Sequence, residues 1–218
     1  MREMGTVVHM PPRGHYLASE VGQLAGVSGN LVGQWARRQY IRASQSEGVP
    51  KVYSYQDAAE AMVVHDLLER GVKYRGIRKA IDALAEYGDW PLTHADLWTL
   101  AGGHGARVVA VEKGATYDVG DRGWQQVVNP EHLTKIRSEL RRGGWAVRSI
   151  PGLKRIEVDP DRLSGRPVIA GRRIAAQDVA ETAEEPNGRE ALEDGYRLDP
   201  EEIEDARNWW REVRRLAA

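Results

Sequence analysis

The chain has no cysteine and no phenylalanine among its 218 residues. Without thiols there is no disulfide framework and no thiolate metal site, as expected of a chain kept in a reducing cytoplasm. The 7 Trp and 8 Tyr must carry the aromatic share of the core. No apolar run approaches the roughly 20 residues that cross a bilayer as a helix. The N-terminus also lacks the charged-then-apolar pattern of a signal peptide. These absences predict a soluble cytoplasmic protein without a membrane partner. Signatures of chemistry are missing as well. The six histidines, His9, His15, His65, His94, His104 and His132, show no metal-ligand spacing with an acid. No serine lies in a nucleophile elbow. Gly102-Gly103-His104-Gly105 follows a predicted helix rather than a strand, so it is no dinucleotide fingerprint. The expectation is a protein that is not an enzyme and that has no cofactor and no metal.

A strong net charge is absent too: 31 Lys+Arg face 32 Asp+Glu, for a net −1. The distribution is uneven. Residues 1–87 hold 11 Lys+Arg against 9 Asp+Glu, residues 88–153 hold 8 against 7, and residues 154–218 hold 12 against 16. The positive balance therefore lies at the front, densest at Lys73, Arg75, Arg78 and Lys79, and the acidic excess at the back.

Residues 1–15, with Pro11-Pro12-Arg13-Gly14, read as a flexible arm. Residues 16–87 hold the densest helical signal. Ala18 to Ala25 forms a short helix with Val21 and Leu24 inward, and Gly26-Val27 breaks it. Ser28 is an N-cap for a second helix to about Arg38. That order, helix, glycine turn, helix, is the sequence form of a helix–turn–helix. In the second helix Leu31, Val32 and Trp35 share the apolar side. Asn30, Gln34, Arg37 and Arg38 fall at i, i+4, i+7 and i+8 on the other. Amides there suit adenine edges and guanidinium groups suit guanine or phosphate; a plain solvated face is the other reading. Gly33 sits in the helix interior at a cost of about 1 kcal/mol relative to alanine, which would allow close approach of the backbone to DNA or to a neighbouring helix. Ile41 to Tyr53 is a hairpin-like excursion with Gly48 and Pro50 at its turn. Tyr53-Ser54-Tyr55-Gln56-Asp57 opens a third helix, Gly71-Val72-Lys73-Tyr74 breaks it, and Arg75 to Tyr87 makes a fourth.

The positions of Leu24-Ala25-Gly26-Val27-Ser28, Trp35, Ile41-Arg42, Tyr53-Ser54, Asp57, Gly71-Val72 and Ile77 resemble the winged-helix DNA-binding domain of the MerR regulators. The resemblance implies a recognition helix carrying Asn30, Gln34 and Arg37; Ser28 and Arg38 at its ends are further candidate DNA contacts. It also implies a wing with Arg42, Lys51 and Tyr53, and a basic turn with Lys73 and Arg75 against phosphate. The chain departs from that family at Gly33, Gln34 and Gln39, so base preference does not transfer. The family's long dimerisation helix is also missing after Gly88-Asp89-Trp90-Pro91.

Residues 88–153 predict a small α+β linker or dimerisation module. A helix capped by Thr93 runs over Asp96, Leu97, Leu100 and Ala101. Strands follow at Arg107 to Glu112, Ala115 to Val119 and Trp124 to Val128, then a helix from Asn129 with Leu133, Ile136 and Leu140 inward, and strand-like pattern from Trp145 to Ile150. In residues 154–218, Lys154 to Val158 is strand-like. A turn-rich run reaches Ile174, and helices cover Ala176 to Ala183, Glu190 to Glu193 and the stretch after Asp199. Asp199-Pro200-Glu201-Glu202 is a strong helix start, with an N-cap acid, proline at N1 and Glu at N3. Its inward stripe is Ile203, Ala206, Trp210 and Val213. Gly165, Pro167, Ile169, Gly171, Arg173, Ile174, Leu198, Ile203 and Ala206 resemble domain-of-unknown-function family 433, found in VapB-like antitoxins, although that family usually has Thr where Arg172 stands.

The fold expectation is thus α+β and mostly helical: an N-terminal winged helix-turn-helix, a small central sheet with a helix, and a C-terminal three-helix, helix-turn-helix-like domain. Together the two resemblances imply a dimeric, DNA-binding antitoxin. It would repress its own operator and neutralise a PIN-type ribonuclease toxin through Arg172, Arg173, Arg207, Trp210, Arg211 and Arg214. Two other readings stay open: a MerR-like regulator answering a small ligand through residues 88–158, and an interaction scaffold that no longer binds DNA.

Overall fold

The computed structural model describes residues 12–95, 97–101, 105–112, 115–119, 125–126, 133–135, 148–150, 153–159 and 162–217. About half of these residues are helical, and the strands form two small antiparallel sheets.

Helices α1 (Ala18–Ala25) and α2 (Gly29–Arg37) form the expected helix–turn–helix. Gly26 ends α1 at φ 75, and its N–H donates to the Gly22 carbonyl. Only a residue that tolerates the left-handed region closes a helix this way without strain. Ser28 Oγ then accepts from Leu31 N–H at 3.2 Å and starts α2. The two helices meet through glycines that no periodicity marks. A Cβ on Gly22 would lie 2.6 Å from the Val27 carbonyl oxygen, and one on Gly29 would lie 3.0 Å from Ser19 Cα. Val21, Leu24, Val32 and Trp35 fill the crossing.

Helix α3 (Tyr55–Glu69) is the centre of the molecule and is buried around most of its circumference. Its N-terminus is a capping box: Ser54 Oγ accepts from Asp57 N–H at 3.1 Å and Asp57 Oδ2 accepts from Ser54 N–H at 2.8 Å. Residues 12–15, expected to be loose, are tied to it. Tyr55 N–H donates to the Arg13 carbonyl and Arg13 N–H to Gln56 Oε1. Residues 1–11 lie outside the described residues. Helix α4 (Tyr74–Ala83) follows, then a 3₁₀ turn at Ala85–Tyr87 and a single turn, α5 (Pro91–His94).

Trp90 and α5 pack against α3. The fully buried Glu60 accepts the Thr93 N–H at 2.9 Å. Burial drives the Glu60 carboxyl from its ordinary 4.5 up to about 8. Hydrogen bonds from Thr93 and Leu92 oppose the rise, and the Asp57 charge adds to it.

The central sheet has the strand order β4-β3-β2-β1-β5, from β1 (Leu97–Leu100), β2 (Arg107–Glu112), β3 (Ala115–Asp118), β4 (Gln125–Gln126) and β5 (Leu133–Lys135). Two expectations fail here. Leu97–Leu100 is a strand, not a helix: Thr93 spends its N–H on Glu60 and its hydroxyl on the Trp90 carbonyl, so it caps nothing, and Ala95 is extended. Leu133–Lys135 pairs with β1 and is likewise a strand. The rest of that predicted helix lies outside the described residues. Val72 and Ala106 form a parallel bridge that ties the sheet to the α3–α4 turn.

The second sheet orders β6 (Arg148–Ile150), β7 (Leu153–Val158) and β8 (Pro167–Ile169). The turn-rich run therefore contains a strand. After β8 the chain reverses tightly, with Gly171 at φ +74 and Ile169 N–H donating to the Ile174 carbonyl. Helices α6 (Ala176–Thr182), α7 (Gly188–Gly195) and α8 (Pro200–Ala217) complete the fold. Helix α8 packs on α6 and β7 of its own segment and also on α1 and α2. Its buried stripe is Ile203, Ala206, Trp209 and Val213. Trp209 replaces the expected Trp210, which is half-buried and stacks on it at 5.9 Å between ring centroids. Both tryptophans satisfy helical spacing, so only the packing distinguishes them.

The close approach of α1 to α2 makes Gly22→Ala destabilising. It should lower stability by about 1–3 kcal/mol in chemical denaturation, because the added methyl meets backbone that cannot retreat. Folding also keeps a proton on Glu60 up to about pH 8 that the unfolded chain releases near its ordinary 4.5. That contribution is full below the unfolded value and is lost as pH rises to 8, by at most about 1.4 kcal/mol per unit. Denaturation midpoints should fall over that window, and Glu60→Gln should flatten the slope.

Candidate nucleic-acid interface

The outer face of α2 is built by what its inner face does. Val32 and Trp35 are buried, and Trp35 Nε1 donates to the Tyr74 hydroxyl at 3.0 Å. The C-terminal end of α2 is held by Arg78 of α4. Its guanidinium donates to the Gln39 carbonyl at 2.8 Å and to the Arg38 carbonyl, and stands 4.6 Å from the centre of the Tyr40 ring. Helix α2 is thereby fixed in rotation, which leaves Asn30, Gln34 and Arg37 exposed together, with Ser28 before them and Arg38 after them. The sequence places Arg78 in a basic cluster; in the fold it satisfies the orphan carbonyls at a helix end.

The other predicted contacts divide. Lys73 and Arg75 are exposed at the start of α4. The hairpin-like loop 44–53 closes on a bridge between Ser46 and Val52, with Val49 fully exposed at its tip. Lys51 is half-buried there and its Nζ donates to the Glu47 carbonyl at 3.1 Å. Arg42 is exposed and paired with Asp89. Such an exposed pair is worth little and yields readily to another anion. Tyr53 does not belong with these residues. It is fully buried, and its backbone forms a two-way bridge with Tyr16 at 2.8 Å in each direction. It lies in a run of buried residues with Ser54 and Tyr55 and offers no exposed surface to a groove.

The predicted toxin-facing residues also divide. Arg172 is a structural clamp. Its Nε and Nη2 donate to the two oxygens of buried Glu202 at 3.1 Å each, and further bonds reach the Tyr196 and Arg197 carbonyls at 3.3 and 2.9 Å. Glu202 in turn accepts the Asp199 N–H at 2.8 Å, closing the expected cap of α8. Arg172 is therefore spent inside the fold. Arg173 is exposed. On α8, Arg207 pairs with Glu204 at 3.0 Å, Arg214 with Glu184 at 2.7 Å, and Arg211 donates to Asn208 at 2.9 Å. Arg211 and Arg214 are exposed, and Arg214 also lies 5.9 Å from the Trp210 ring centre. Among the described residues no group of three or more His, Asp or Glu is arranged to hold a metal, and no helix is long and apolar enough to cross a membrane.

The geometry defines a mixed helical and sheet protein built on a helix–turn–helix with a helical C-terminal segment. Residues 156–209 match the family described as "Protein of unknown function (DUF433)". Over 88 residues, 38% of this chain, the sequence is 28% identical to proteins named uncharacterized HTH-type transcriptional regulators. These include Rv1830 of Mycobacterium tuberculosis and Mb1861 of Mycobacterium bovis. The match spans 39% of the length of those relatives. The crystal structure of Rv2018 from Mycobacterium tuberculosis is similar at a TM-score of 0.52 and 19% identity, over 88% of this chain and 96% of that one; the likeness is one of fold.

If the exposed cations meet phosphate, Lys73→Ala and Arg75→Ala should each weaken binding to every duplex alike. Each should also reduce the slope of log affinity against log salt by about one. Gln34→Ala should instead change base preference at one position, measured by competition among duplexes differing at single base pairs.

Proposed function

We propose that this chain is a DNA-binding transcriptional regulator in which α2 enters the major groove. The observation that carries this reading is the exposed row Asn30, Gln34 and Arg37 on a helix whose opposite face is locked by Trp35–Tyr74 and Arg78. A rigid helix holding amides and a guanidinium outward can match base edges, since the amides pair bidentately with adenine and the guanidinium with guanine. Arg42, Lys51, Lys73 and Arg75 set register on the phosphates. The names of the HTH-type relatives agree with this assignment. Two copies would bind a two-fold operator.

We further propose that the regulator is the antitoxin of a toxin–antitoxin pair in the cytoplasm, binding a PIN-type ribonuclease through its C-terminal segment and repressing its own operon. The support is the match of residues 156–209 together with the resemblance to VapB-like antitoxins. The exposed guanidinium groups of Arg173, Arg211 and Arg214 are the candidate contacts to an acidic active site. In this reading the chain itself catalyses nothing.

The test is co-expression with the product of the adjacent reading frame, with growth and the mass of the purified complex as readouts. The expected outcome is relief of growth arrest and a stable complex, both lost in the Arg211→Glu/Arg214→Glu double variant. A chain that binds its own upstream DNA but forms no complex is a regulator without a toxin.

A further inference from the structure

Helix α2 carries an interior glycine that its own packing does not require. Gly22 and Gly29 are pressed against backbone, and a Cβ on Gly76 of α4 would lie 3.2 Å from Val72 Cγ1. Gly33 is different. Beyond its chain neighbours and its own helix backbone, Arg37 Nη1 alone among the described residues comes within 4 Å of its Cβ position, at 3.5 Å, which is ordinary contact. Its backbone is helical, so no left-handed conformation calls for glycine. Alanine would fit there and favour the helix. The neighbouring helix does not need the missing side chain, so close packing inside the fold is excluded as its reason.

What the missing side chain does is shape the outer face. Gly33 is half-buried and stands between exposed Asn30 and exposed Gln34 and Arg37. Side chains on a helix lean towards its N-terminus. Arg37 therefore runs back one turn, and its guanidinium lies over the gap at Gly33. The result is a notch in the outer face, floored by the α2 backbone and covered at one side by a planar cation.

We propose that Gly33 is a specificity-determining position of the DNA-reading face. The notch lets the α2 backbone approach the base edges closely, and it leaves the Arg37 guanidinium free to align with a guanine edge, where O6 and N7 accept two N–H groups. This rests on the DNA-binding reading above. It makes the glycine a feature that lowers helix stability in favour of recognition, so its replacement moves stability and affinity in opposite directions.

The experiment uses the full chain and duplexes with a random core, selected by the wild-type protein. Thermal unfolding and affinity for the selected duplex are measured for the wild type, Gly33→Ala, Arg37→Ala and the double variant. Gly33→Ala is expected to raise Tm by about 2–4 °C. It should also weaken the selected duplex roughly tenfold, a loss on the scale of one bidentate base contact. In the Arg37→Ala background the same substitution should cost much less, because the two residues act on one contact. A Gly33→Ala variant that folds and binds the selected duplex as tightly as wild type overturns the proposal while leaving the DNA reading in place. So does a loss that adds in full to that of Arg37→Ala. A wild-type protein that selects no duplex overturns the DNA reading, and the proposal with it.

Discussion

The arrangement of the N-terminal half depends on one buried carboxylate. Asp57 is fully buried at the start of α3 and receives donors from three separate parts of the chain. Its Oδ2 accepts from Ser54 N–H at 2.8 Å, and from Ser44 N–H and Oγ at 2.8 and 2.7 Å. Its Oδ1 accepts from Trp90 Nε1 at 2.9 Å. A buried carboxylate is costly unless its oxygens are satisfied, so these partners must arrive together or not at all. Satisfying Asp57 caps α3, pins the root of the loop that carries Lys51, and anchors the segment leading from α4 to the central sheet. Lys51, and Arg42 with its partner Asp89, lie on the segments Asp57 pins although none of them touches it.

Helix α1 has a related position among the apolar contacts. It lies against α2 through glycines and packs against α8 on another side. The 8 residues of α1 could not form a stable helix alone; their stability comes from burial on both sides. The C-terminal segment therefore serves as part of the packing of the helix–turn–helix. The charge of Arg166, itself paired with Asp178, reaches Glu20 at the start of α1 and opposes the rise that burial gives its carboxyl. The Arg172–Glu202 clamp holds the β8–α6 turn to the beginning of α8 and so sets the angle at which α8 arrives.

Charge placement separates the two ends further. The exposed cations Arg37, Arg38, Arg42, Lys73 and Arg75 are spread over the end of α2, the loop after it and the start of α4. On α8, Arg207 and Arg215 pair with acids one turn away, Arg214 with Glu184 of the segment after α6, and Arg211 bonds to Asn208. These pairs are exposed and weak, so they keep the helix soluble and leave the guanidinium groups exchangeable.

Local order alone was enough for several features. The glycine break and Ser28 cap delimit α1 and α2, the stretch Tyr53 to Asp57 opens α3, and Asp199-Pro200 with Glu202 starts α8. Strand β2 is legible at its observed bounds from its apolar run, and the Asn30, Gln34 and Arg37 row follows from helical geometry. These are effects of neighbours within four residues, which sequence displays directly. Partners far along the chain were not legible. Leu97–Leu100 became a strand because β2 and β5 flank it, Tyr53 went inside because Tyr16 pairs with it, and Trp209 rather than Trp210 was buried because of what α8 packs against. Arg172 became a clamp because Glu202, thirty residues on, comes within reach of its fork. Hydrogen-bonding and apolar groups are interchangeable until another element presents a surface, and only the tertiary structure presents it.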